Sequence, residues 1–405
     1  MNSLSKSAPK LALLAILAAY LIKQVALIRM LGTEWGTDPD SVAATVLSAK
    51  HFIANGLGPT AGLQYWPGYT WETPVQQIKD AGLYTHFFPG PEYMLTLVYW
   101  IFGVSDTTFQ WSRILPMLHV LLPLLLVVGV SKKRIWDDWE WGAPIALGLF
   151  CFAPGFYYWS LNLHGHAYAT LYLLVAFCIG LLLGDADQER QNRKFWLKDR
   201  FLYLALVVCG FGSIYMILTH TFIVCAAPMV GMLLHRNPVS PKRWILSGFF
   251  VGVGLILANA VHVSQVAYFL NSYSLAWLDQ FGSAVERSQG SGHIELPSFI
   301  TILGQYSDHV RAWFRVNSLH LLWLGLGMAV LSFSVLRVRV QMVTALLLAF
   351  VACSVWLFVF RSHAQAHPHL VPRIYQLVYV TTVLIGVRFV SEVVRARSKT
   401  QLQRS

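Results

Sequence analysis

The sequence predicts an all-α, polytopic membrane bundle of about ten spans, and three observations carry that expectation. Of 405 residues, 56% are hydrophobic and only 12% charged, with a mean hydropathy of +0.53, too apolar for a soluble domain. The apolar residues come in runs near 11–30, 114–130, 141–158, 166–183, 201–219, 221–234, 244–264, 318–336, 341–360 and 372–392. Runs of that length suit a hydrocarbon core about 30 Å thick. The basic residues between them alternate sides.

The first run, Leu11 to Met30, is too long for a signal-peptide core and lacks a small-residue cleavage site, so a retained span is expected. Lys23 and Arg29 within it are expected to snorkel toward headgroups, as is Arg113 at the outer start of the next span. Lys6 and Lys10 fall on one side with the basic groups at 132–134, 190–200, 236–243, 337–339 and 395–404. By the positive-inside rule that side is cytoplasmic, with both termini on it. The opposite side receives a first loop at 31–110, turns at 157–166, 219–221 and 361–373, and a second loop at 265–317.

Residues 1–405 therefore read as one transmembrane domain, and the net charge of +11 reflects topology rather than nucleic-acid binding. No Asn-x-Ser/Thr sequon occurs, in keeping with a bacterial inner membrane. Cys151, Cys178, Cys209, Cys225 and Cys353 all lie in apolar runs and are expected to pack in the core. Twelve of the fourteen histidines, all but His119 and His235, fall at or near the side opposite the basic groups.

The first loop is the most informative stretch. It concentrates Glu34, Asp38, Asp40, Glu72, Asp80 and Glu92 in a chain with 19 acidic residues. Asp38 suits an N-cap and Pro39 the first helical position. Val42, Val46, Ala49 and Ile53 recur at helical spacing until Gly56 and Gly58 stop the helix. The later run YTHFFPGPEY, at 84–93, opens a second short helix, with Glu92 in its first turn. The 265–317 segment is expected to form interfacial helices, with a break at 288–293.

An acidic pair after the first span, a helix ending at a Gly-rich turn and an aromatic-Pro-Gly run before another helix resemble the first loop of GT-C glycosyltransferases. These polytopic enzymes take sugars from polyprenyl-phosphate carriers and include protein O-mannosyltransferases and aminoarabinose transferases. The resemblance implies a GT-C-like fold and transfer to a glycan, lipid or protein acceptor on the extracytoplasmic face. It implies that Asp40 acts as general base in an inverting displacement, with Asp38 the other candidate. An N-cap at Asp38 needs no function, whereas Asp40, at the second helical position, does not cap.

The turn FRSHAQAHPHLVPR, at 360–373, resembles a late Arg/His-rich outer turn of bacterial relatives. Guanidinium takes two phosphate oxygens at once and histidine donates or protonates, so Arg373, His367, Arg361, His363 and His369 are candidates for holding the leaving phosphate. His86, Glu92, His164 and His166 are further candidates for the substrate pocket. Some GT-C families use a divalent cation and others do not, so Mg, Mn or Zn stays open, with His363, His367, His369, His164 and His166 at ligand-like spacing. Relatives place an acidic residue where His164 and His166 stand. For His220, Lys50 and Lys79 headgroup contact is the simpler reading. The alternative from another class is a transporter or flippase of an anionic lipid or solute, which would show ionisable residues deep in the spans or repeated halves.

Overall fold

The computed structural model describes residues 3–35, 39–65, 83–84, 88–136, 139–157, 159–185, 195–235, 239–289, 304, 336–359 and 371–402. In chain order its longer helices are α1 (Ser3–Leu31), α2 (Pro39–Asn55), α3 (Gly90–Phe102), α4 (Asp106–Ser112), α5 (Ile114–Arg134), α6 (Gly142–Cys151) and α7 (Gly165–Asp185). They continue as α8 (Phe195–Met216), α9 (Thr221–Leu234), α10 (Pro241–Leu270), α11 (Tyr273–Gln289), α12 (Leu336–Val359) and α13 (Gln376–Leu402). A two-residue antiparallel ladder, Gln64–Tyr65 with Leu83–Tyr84, pairs Gln64 with Tyr84 inside the first loop.

Six segments are long and apolar enough to cross a membrane: Ser7–Leu31, Asp106–Arg134, Gly165–Gly184, Asp199–Met216, Pro241–Leu270 and Gln376–Ser398. Three more of the ten expected spans are shorter apolar helices, Gly142–Cys151, Leu218–Leu234 and Val340–Trp356. The expected span at 318–336 lies outside the described residues. Phe150 and Cys151 of α6 and Val230 and Leu234 of α9 are almost wholly buried, so both helices pack deep within the bundle.

The bundle is layered around α7, 78% of whose most apolar window is buried, against 17% for α1 and 22% for α10 at the periphery. α7 packs on α5, α8 and α9; α10 lies on α8, α12 joins α9 to α13, and α1 rests on α6. Ile22 and Ile245 are 71% exposed and Ile256 70%. An apolar surface of that kind belongs against lipid.

Glycine sets the closest approaches. A Cβ on Gly180 of α7 would meet the Pro228 carbonyl of α9, and one on Gly231 of α9 would meet the Phe177 carbonyl. Small residues of this kind let membrane helices pack backbone to backbone. Gly180→Ala is expected to cost about 1–3 kcal/mol through overpacking and to lower the unfolding temperature in detergent. Gly252→Ala, where the added methyl meets nothing within 4 Å, is not; equal stability of the two variants would remove the packing argument.

The bundle has two unlike ends. At one, Arg395 donates to the Trp136 carbonyl at 2.8 Å, Arg388 to the Leu234 carbonyl at 3.4 Å, and Arg243 pairs with Asp199 at 3.3 Å. At the other lie α2, α3, the 159–164 turn, Leu218–His220, the C-terminal turns of α10 and the one-turn helix Val371–Ile374. The basic segments and the first loop thus occupy opposite ends, as the alternation of charge requires.

Candidate functional site

The first loop is built on the hairpin of α2 and α3. Val42, Val46 and Ala49 of α2 are buried with Leu95 and Tyr99 of α3 and with Phe109 and Leu163 in one apolar cluster. Gly56, at φ 76°, ends α2 with its N–H on the Phe52 carbonyl at 3.0 Å. A second row on α2, Thr45, Ser48 and His51, is fully buried yet polar. Ser48 donates to its own helix at Ala44, and His51 Nδ1 lies 3.0 Å from Asn55 Nδ2.

Glu92 faces this polar row from the first turn of α3. Its side chain is buried, and Oε1 accepts a 2.9 Å hydrogen bond from the Thr45 hydroxyl. Oε2 has no hydrogen-bond partner among the described residues. Burial away from water pushes the carboxyl up to about 7, more than the hydrogen bonds from its backbone and Thr45 pull it down. The Pro-Gly-Pro sequence explains how it gets there. Pro91 starts the helix, and Gly90 presses on the Tyr215 carbonyl, where no side chain fits.

Gln265 locks the hairpin to the bundle. Its Nε2 donates to Tyr93 Oη at 2.7 Å and to the Ala61 carbonyl at 3.1 Å, while Oε1 accepts from Tyr215 Oη at 3.0 Å. This requires α10 to run beyond 264, past the residue at which the sequence pattern starts the second loop. Val266 and Ala267 justify the extra turn by packing under Leu63 and Ala276.

Beside the hairpin, His166 Nδ1 lies 3.2 Å from His220 Nε2, and the His164 ring centroid is 5.4 Å from that of His166. A contact of that kind needs one donor and one acceptor nitrogen, so at least one of the two rings is neutral. His220 does not touch headgroups, as its place at the edge of an apolar run suggests. It is fully buried instead, because Leu218–His220 turns inward between α8 and α9. Its Nδ1 has no partner among the described residues. Met94 of α3 packs with Tyr168, two residues past His166, so the hairpin and the histidines are neighbours.

Arg373 completes the arrangement. It is buried on Val371–Ile374, with Cζ 3.5 Å from the centre of the Trp159 ring. A guanidinium over an indole is held there by attraction to the ring face. Three residues on, Gln376 Oε1 lies 2.8 Å from the Thr170 hydroxyl, itself 2.9 Å from the His166 carbonyl. The C-terminal and central parts of the chain thereby meet one turn from both Arg373 and His166.

One expected anchor behaves differently. Arg113 does not snorkel: it is buried, donates to the Leu161 carbonyl at 3.3 Å and to the Glu34 carbonyl, and so fastens the start of the first loop to the 159–164 turn. Lys23, by contrast, is exposed, with Nζ 4.3 Å from the Tyr157 ring centre at the outer turn, as a snorkelling side chain would be. Of the remaining candidates, Asp40 occupies the first turn of α2. Asp38, His86, Arg361, His363, His367 and His369 lie outside the described residues, as does Lys79. All five cysteines are free thiols, four of them buried.

Among the described residues no group of three or more His, Cys, Asp or Glu side chains is arranged to hold a metal ion. Of the histidines at ligand-like spacing, His164 and His166 are among the described residues, and His166 Nδ1 faces His220 Nε2 at 3.2 Å. Thr45, Trp159, Gln265 and Gln376 join the site without having stood out in the sequence. Only Thr45 leaves a trace there, in the three-residue spacing of Thr45, Ser48 and His51 along one helix.

Fold and site together define a polytopic helical membrane protein with buried acid, imidazole and guanidinium groups gathered at one end. No protein-family model, curated protein or solved structure matches the chain.

Proposed function

We propose that the protein is a membrane glycosyltransferase that moves a sugar from a polyprenyl-phosphate donor to an acceptor on the extracytoplasmic face, in the manner of GT-C enzymes. The observation that carries this reading is the buried Arg373, set over Trp159 at the loop-bearing end of the bundle and linked to the His166–His220 pair through the Gln376–Thr170 bond. Guanidinium is the side chain best suited to pair with two oxygens of one phosphate, and a lipid-linked phosphate at the membrane surface is such a group.

In the reaction, the acceptor oxygen bonds to the anomeric carbon as the bond from that carbon to the phosphate oxygen breaks. The acceptor proton goes to a carboxylate, assigned to Asp40, and the electron pair leaves on the polyprenyl phosphate. One displacement inverts the anomeric centre. Arg373, with the 361–369 side chains, stabilises charge on the departing phosphate. His164, His166 and His220 line its approach as donors, and Glu92 is a second carboxyl able to exchange a proton near neutrality. The basic end of the bundle is then cytoplasmic, and the membrane a bacterial inner membrane.

Asp40→Asn is expected to abolish transfer while polyprenyl phosphate still co-purifies. Full transfer by that variant would remove Asp40 from the base role. Wild-type protein that holds only ordinary phospholipid, even with polyprenyl phosphate added, would overturn the donor assignment and favour transport.

A further inference from the structure

A cleft of about 850 Å³ opens beside the locked hairpin, between Gly58–Pro59 and the junction of α10 with α11. Its volume suits a small ligand, and its lining is distinctive for what the sequence supplies. The chain has 30 lysines and arginines, yet Ser264, Tyr268, Asn271, Ser272 and Tyr273 present hydroxyls, an amide and two rings, and among the described residues no charged side chain lines the cleft.

The backbone that carries the two rings is held in place. Asn271, at φ 53°, ends α10, and the Ser272 N–H returns to the Ala267 carbonyl at 3.0 Å. That closure fixes the backbone between Tyr268 and Tyr273. Both rings remain 72% and 65% exposed. Ser264, one residue from Gln265, ties the cleft wall to the bond that holds Tyr93 and Ala61.

We infer that this cleft binds a neutral glycan, which, resting on the transferase reading, is the sugar acceptor. The faces of a pyranose are apolar C–H surfaces that stack on aromatic rings, while its hydroxyls need partners that both donate and accept. Tyr268 and Tyr273 supply the rings, and Asn271 and the tyrosine hydroxyls supply such partners, while Ser264, which donates to the Ala260 carbonyl, adds an acceptor. An anionic headgroup or phosphate would find no cation among the described residues of this lining, and an acyl chain would strip water from the Asn271 amide and the two tyrosine hydroxyls.

The test uses full-length protein in nanodiscs and saturation-transfer NMR with four probes, the malto-, cello-, chito- and mannotetraoses, against a hexuronate tetraose. At least one neutral probe should bind, and the hexuronate should not. Tyr268→Ala/Tyr273→Ala should weaken binding at least tenfold, while Tyr268→Phe retains it. Binding of the free sugar points to a soluble acceptor; binding only of the same glycan carried on a lipid in the disc points to a lipid-linked one. No binding of any neutral probe, or undiminished binding by the double alanine variant, overturns the assignment. Retention of polyprenyl phosphate is measured on the same samples. Its loss from wild type with glycan binding intact would refute the donor reading and leave the cleft standing.

Discussion

Replacing Arg373 with alanine is expected to abolish retention of polyprenyl phosphate by the purified protein, read by mass spectrometry of its bound lipids, and to remove transfer with it. Arg373→Lys should restore little, because an ammonium neither stacks flat on Trp159 nor meets two oxygens at once. The two roles of this residue are separable. A guanidinium that served only to join helices would lower stability on removal without changing which lipids remain bound. Trp159→Ala discriminates further, since it leaves the charge and removes the surface that orients it. Its lipid retention should fall at least tenfold, whereas Trp159→Phe keeps a ring and should lose less. Wild-type lipid retention by Arg373→Ala would refute the clamp.

The second large effect concerns Glu92. Its carboxyl holds its proton in the folded protein up to about 7, against an ordinary value of 4.5. Between these two values the folded state binds more protons than the unfolded one, so stability falls as pH rises through the window. The loss is on the order of 3 kcal/mol, at about 1.4 kcal/mol for each pH unit the window spans. It is complete above about 7 and absent below 4.5. Glu92→Gln keeps the shape without the charge. Its unfolding profile should be flatter across that window, and above neutrality it should be the more stable protein. A wild-type profile that is flat between pH 4.5 and 7 would show that the carboxyl is solvated rather than buried.

The local parts of this site are legible in the sequence, and the assembled parts are not. The helix from Pro39 to Asn55 announces itself through its proline, its Val42–Val46–Ala49 row and its glycine stop. The second helix follows from Pro-Gly-Pro. Both depend on neighbours within one or two turns. Gln265, by contrast, reaches Ala61 across 204 residues, and Thr170 reaches Gln376 across 206. Nothing in the local pattern of either glutamine marks it. Arg113 and His220 escape a sequence-based placement for a related reason. A polar residue at the edge of an apolar run reads as interfacial, and only the packing shows whether it faces lipid or protein.

Gln265 also has a mechanical consequence. Three chain segments hang on its one amide, and α10 continues without internal proline to Arg243, which is paired to Asp199 at the far end of the bundle. About twenty-two residues of helix make a rod of about 33 Å. Displacement of the hairpin must either break the bonds to Tyr93 and Ala61 together or carry the rod with it. The hairpin and the Arg243–Asp199 pair thus sit at the two ends of a single stiff strut.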